Sequence, residues 1–167
     1  MKRPEPVQVV KERRDTALAK LVAQVPYAGW LGIEFERRGD ELTATLPFAE
    51  KVIGNPMLPA IHGGVTAAFL EATATVELAW SMLWDGIESG RLDAAALTPE
   101  TMPRLPKTID ITVDYLRPGL PRDAYARARV VRSGRRYASV QVEAWQDNRA
   151  RLFAAATGHF LMPDREG

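Results

Sequence analysis

The chain has 167 residues, 46% of them hydrophobic, and its 22 Lys plus Arg against 21 Asp plus Glu leave a formal charge of +1. That length suits one globular domain with a substantial core, and the even charge excludes a dedicated nucleic-acid binder, whose affinity rests on surplus Lys and Arg. The chain has no cysteine, which excludes a disulfide scaffold, and its two histidines are too few for a structural zinc site, so no metal is expected.

Met1-Lys2-Arg3-Pro4-Glu5 carries charge with no apolar run behind it, so no secretory signal is read and the cytoplasm is the expected compartment. Residues 5–24 set Val9, Leu18, Leu21 and Val22 among charges, predicting an amphipathic helix closed by Pro26. Residues 1–27 are accordingly read as a helical extension on a single domain spanning 28–167. Ile33 and Phe35, then Leu42, Ala44 and Leu46, alternate with polar residues across a Gly39-Asp40 turn, predicting a hairpin. Breakers fill 53–59, predicting a loop.

Residues 60–84 are the most apolar stretch, yet Glu71, Glu77 and the His62-Gly63-Gly64 opening exclude a membrane span. Val65, Phe69, Ala72, Val76, Ala79 and Leu83 recur at helical steps. Ala67, Ala68, Thr75, Leu78 and Met82 make the opposite face small or apolar as well, predicting a helix buried nearly all round. Residues 84–106, broken by Gly86, Gly90, Pro99, Pro103 and Pro106, read as an irregular insertion. The period then switches to two. Strands are predicted around Ile109 to Tyr115, Ala126 to Val130, Ala138 to Ala144 and Leu152 to Phe160. Their short links, Pro118-Gly119, Ser133-Gly134 and Asp147-Asn148, predict antiparallel pairing of neighbours. The expected architecture is α+β, an antiparallel sheet wrapped around one long helix. Trp80, Trp84 and Trp145 are read as packing residues, and His159 as structural.

Glu71 stands out, because a carboxylate inside an apolar helix needs a compensating partner. Thr75, one turn on, shares its face and could bond it or a water. An Arg partner at a subunit interface is equally open. His62-Gly63-Gly64 precedes the helix, where free N–H groups and a partial positive charge suit an oxyanion, an effect of about 3 to 4 kcal/mol per donor. A capped tight turn fits those residues too. Arg132, Arg135 and Arg136 cluster at a predicted turn, suited to phosphate or simply solvated.

Taken together, residues 55–64 ending in His62-Gly63-Gly64, Glu71 nine positions after His62, and Thr75 four later resemble the hotdog-fold acyl-CoA thioesterases of the phenylacetate-pathway type. The resemblance spans roughly 28–162 and includes Tyr115-Leu116-Arg117-Pro118 and the turn Ser133-Gly134-Arg135-Arg136. It implies acyl-CoA hydrolysis with Gly63 as oxyanion N–H, Glu71 as nucleophile or base, Thr75 assisting, His62 ordering the turn and Asn55 as the loop amide. Gly64, Ser133, Gly134, Arg135 and Arg136 would contact substrate. It also implies no cofactor beyond the coenzyme A of the substrate, and a homodimer or a tetramer of dimers with sites at the subunit boundary. The family's amide lies six positions before the histidine, where this chain has Pro56, with Asn55 one step further away. Two other functions fit the fold: a hydratase or dehydratase, which needs a histidine where this chain has Asn55, Pro56 and Met57, and a module that binds acyl-CoA without turnover.

Overall fold

The computed structural model describes residues 5–39 and 41–164, so Asp40 of the predicted hairpin turn and Met1 to Pro4 lie outside the described residues. The apolar segment forms one helix, α3 (Gly63–Glu88, 26 residues). Around it curves a six-stranded sheet of β1 (Glu34–Arg38), β2 (Glu41–Leu46), β3 (Lys107–Tyr115), β4 (Ala124–Ser133), β5 (Tyr137–Trp145) and β6 (Ala154–Leu161). The order is β1-β2-β4-β5-β6-β3, antiparallel at every junction. The inward face is rich in small residues: Ala44, Ala126, Ala138, Ala144, Ala154 and Ala156 are all buried. Short side chains let α3 lie close to the sheet, and its own Phe69, Leu70 and Leu78 fill the space with no exposure.

One strand pairing departs from the sequence reading. The Pro118-Gly119 link predicts a β3–β4 pair, but β3 pairs with β6. The link instead crosses the start of α3: the N–H groups of Leu116 and Arg117 donate to the Phe153 carbonyl at 2.9 and 3.0 Å, and Ile61 N–H donates to Gly119 O at 2.8 Å. These bonds hold the chain away from a tight hairpin and leave β3 at the sheet edge.

The N-terminal residues form two helices, α1 (Val7–Val22) and α2 (Pro26–Leu31), the second opened by Pro26 and stopped by Gly32 at φ 77°. Ala28 and Leu31 of α2 belong to the central core, so the expected boundary at residue 27 falls inside a helix that the domain needs. Leu18 and Leu21 of α1 build a second core with Leu42, Val76, Trp80 and Leu83. The insertion expected at 84–106 starts later, because α3 continues through Gly86 to Glu88. Gly86 has a packing reason to be there: a Cβ would stand 2.5 Å from Leu92 Cδ1. The segment beyond is tied back by Lys20, whose ammonium donates to the carbonyls of Ala94, Ala95 and Leu97 at 2.9, 2.7 and 2.9 Å. Among the described residues no helix is long and apolar enough to cross a membrane.

Candidate active site

The first group of candidate residues sits where α3 begins. His62 has extended backbone, φ −55° and ψ 134°, and its Nδ1 accepts the Gly64 N–H at 2.9 Å, capping the helix. Its imidazole lies so close to the chain that a Cβ on Gly64 would meet Cε1 and Nδ1 at 3.0 Å, and one on Gly54 would meet the His62 Cα at 3.1 Å. Gly64 N–H is thereby occupied. Gly63 N–H has no acceptor among the described residues, and the Gly63 carbonyl is pinned by the Tyr115 hydroxyl, which donates at 2.8 Å. This end of α3 opens on a cavity of about 400 Å³ whose walls include Gly63, Thr66, Tyr115, Arg117 and Phe153. Asn55 stays outside it. Its Oδ1 accepts the Met57 N–H at 2.9 Å and so closes a local turn.

The second group lies two turns along α3. Glu71 is half-buried and accepts a hydrogen bond from Thr108 Oγ1 at 2.5 Å. Glu71, Thr75 and Thr108 stand together in the wall of a separate cavity of about 260 Å³, with Tyr27 also in its lining and the remaining walls apolar, among them Ala28, Leu31 and Ile33. Gly63 and Glu71 are eight residues apart on one helix, about 12 Å at roughly 1.5 Å of rise per residue. One chain therefore brings Glu71 and Thr75 together, and Gly63 and His62 together, but not the two pairs.

Thr108 and Tyr115 are absent from the sequence-derived set. Tyr115 at least follows the alternation, which puts Ile111, Val113 and Tyr115 on the helix side, opposite Gly158, Ala156 and Ala154 of β6. The same alternation would turn Thr108 outward. A register shift between Thr108 and Asp110 adds one residue to β3, sets Thr108 opposite inward-facing Phe160, and re-aims its side chain at α3. On the outer face Asp110 Oδ1 meets His159 Nδ1 at 2.7 Å.

The turn Ser133 to Arg136 is exposed. Gly134 N–H donates to Tyr137 O at 2.8 Å, and Met162 N–H to Arg136 O at 2.7 Å. Tyr137 and Lys107 both align with Leu161, so this turn and the start of β3, with Thr108, share one end of the sheet. The Arg135 and Arg136 guanidinium groups have no ion pair among the described residues.

Two carboxyls on α3 are shifted. Burial pushes Glu77, which lines neither cavity, up to about 7. A hydrogen bond from Arg14 holds Glu88 below the usual carboxylate range, burial opposing it and the Arg14 charge adding to it. Among the described residues no cluster of three His, Asp or Glu side chains could hold a metal ion.

The family model of the acyl-CoA thioesterase N-terminal domain matches residues 54–161, which include Gly63, Glu71, Thr75 and Thr108. The medium/long-chain acyl-CoA thioesterase YigI of Escherichia coli strain K12 is 30% identical over 145 residues, covering 84% of this chain and 88% of YigI. A phenylacetic acid degradation-related protein of Ralstonia eutropha JMP134 superposes with a TM-score of 0.63 at 20% identity, over 87% of this chain and 99% of the other. A Bacillus halodurans protein whose crystal structure includes CoA gives 0.60 at 22% identity, over 93% and 94%. These two share the fold. The long helix wrapped by an antiparallel sheet and the matched family together make this chain a member of the hotdog-fold acyl-CoA thioesterases, enzymes of thioester hydrolysis.

Proposed function

We propose that the chain hydrolyses acyl-CoA thioesters at sites made by two copies, with Glu71 of one copy working opposite Gly63 of the other. The observation that carries this reading is the Glu71 carboxylate, held at one oxygen by Thr108 and set in the wall of a mostly apolar cavity. The acyl group lies in that cavity with its carbonyl carbon toward Glu71. Glu71 either attacks the carbon or takes a proton from the attacking water, and both routes pass through a tetrahedral oxyanion that expels CoA thiolate; direct attack leaves a mixed anhydride on Glu71, which water then cleaves to free acid and the restored carboxylate. Thr75, in the same cavity, orients the attacking group.

The oxyanion needs an N–H donor within hydrogen-bond reach, and Gly63 of the same chain is too distant. A second copy supplies one if the free edge of β3 pairs antiparallel with itself. That operation lays the Tyr115 end of one strand beside the Thr108 end of the other, and the Tyr115 hydroxyl bond carries Gly63 with it. A homodimer is therefore the smallest complete enzyme. Arg135 and Arg136, without an ion pair among the described residues and at the same sheet end as Thr108, are suited to the CoA phosphates. The relative's medium- and long-chain substrates fit an apolar cavity, and a CoA-dependent reaction suits a cytoplasmic enzyme.

The test is steady-state hydrolysis of aromatic and aliphatic acyl-CoA thioesters by the native chain and Glu71→Ala. The reading expects turnover of some member and a loss of about two or more orders of magnitude in kcat, with binding retained, in the variant. Binding without turnover by both proteins would overturn it in favour of an acyl-CoA-binding module.

A further inference from the structure

The cavity beside Glu71 is polar on one wall only. Glu71 and Thr75 of α3 and Thr108 of β3 stand together, and α2 supplies much of the apolar remainder through Ala28, Leu31 and Tyr27. This helix lies outside the residues 54–161 that the family model matches.

Three features fix α2 as a wall. Pro26 starts it and Gly32, at φ 77°, ends it, with Ile33 N–H donating back to Ala28 O at 2.9 Å. Its inner residues Ala28 and Leu31 are 1% and 2% exposed. Its outer face carries Tyr27 stacked on Trp30, ring centroids 5.7 Å apart, with the Lys51 ammonium 4.6 Å from the Trp30 ring centroid and donating to the Trp30 carbonyl. Tyr27 both lines the cavity and is 54% exposed, which puts it at the rim, whereas Ala28 is interior.

We infer that α2 sets which acyl groups this enzyme accepts: the small Ala28 side chain leaves room at the inner wall, and the Tyr27 ring narrows the rim. The inference rests on the proposed use of this cavity for the acyl group. A held wall discriminates by volume, since each methylene that a rigid apolar pocket gains or refuses changes specificity by about tenfold or more.

The experiment compares native chain, Ala28→Leu and Tyr27→Ala on a saturated acyl-CoA series from acetyl to palmitoyl, reading kcat/KM and, separately, Kd by calorimetry with Glu71→Ala added to prevent turnover. Ala28→Leu is expected to lower the ratio of long-chain to short-chain kcat/KM at least about tenfold. Tyr27→Ala is expected to move the optimum to longer or bulkier groups, and the Kd series should shift the same way. If Ala28→Leu fails to fold, Tyr27→Ala on its exposed ring decides alone. A folded variant that keeps the native chain-length profile overturns the inference. If the native chain binds the series without hydrolysing it, the hydrolytic reading fails while the Kd series still tests α2.

Discussion

The hydroxyl of Thr108 donates to Oε1 of Glu71 across 2.5 Å, joining the edge strand β3 to the central helix. Oε1 is thereby engaged and the carboxylate plane is fixed. A charge-assisted bond of this kind contributes about 1.5–3 kcal/mol. Thr108→Val keeps the shape and removes the donor, so kcat is expected to fall about tenfold or more while KM changes less, and Thr108→Ser should recover most of the loss. Steady-state kinetics on the best acyl-CoA substrate checks this. Native kcat in Thr108→Val would show that Glu71 needs no such support.

The bond also marks where the sequence was readable and where it was not. Glu71 was conspicuous because a lone carboxylate breaks a long apolar helix, and that signal is local. Thr108 was invisible because strand alternation assigns it to the outer face, and one extra residue near Ile109 reverses the assignment without any sequence mark. The same limit hid the β3–β6 pairing: Pro118-Gly119 carries the composition of a hairpin turn, but bonds from distant Phe153 and Ile61 set its path. Gly86 departs from its sequence signal for the opposite reason. Glycine lowers helix propensity, yet here it makes room for Leu92, and tertiary packing outweighs a cost of about 1 kcal/mol. The separation of Gly63 from Glu71 follows from helix rise and sequence spacing, but the roles that the resemblance implies carry no distance between them.

Glu77 carries a pH dependence whose sign is opposite to that of a paired carboxylate. Its carboxyl titrates at about 7 in the folded chain against 4.5 for an exposed glutamate, because burial disfavours the charge. Between those values the unfolded chain binds fewer protons, so stability falls as pH rises through the window and the loss is complete above it. Part exposure reduces the effect to the order of 2 kcal/mol. Glu77→Gln removes the titration, so urea unfolding should show the native chain losing more stability than the variant between about pH 5 and 8. The Glu88–Arg14 pair does not interfere, since its depressed carboxyl titrates below that window. Equal losses in both proteins would mean that Glu77 does not titrate in this window.

Gly63 offers a substitution that deletes one N–H and sets a proline ring carbon in its place. It is the first residue of α3, where proline is favoured, and His62 before it already has ψ 134°, the backbone that a residue preceding proline adopts. A Cβ at Gly63 meets Tyr115 at no less than 3.4 Å, an ordinary contact. Gly63→Pro should therefore fold with near-native stability while kcat falls about 10²- to 10³-fold, the cost of one oxyanion donor. Mixing then tests whether the site is shared. Gly63→Pro retains Glu71, and Glu71→Ala retains Gly63, so a dimer of one of each has one complete site and one doubly defective site. After the two inactive proteins are unfolded and refolded together in equal amounts, half of the dimers are mixed, and activity should return to about a quarter of native. If both groups acted within one chain, no mixture would exceed its parents, and the dimeric site would have to be abandoned.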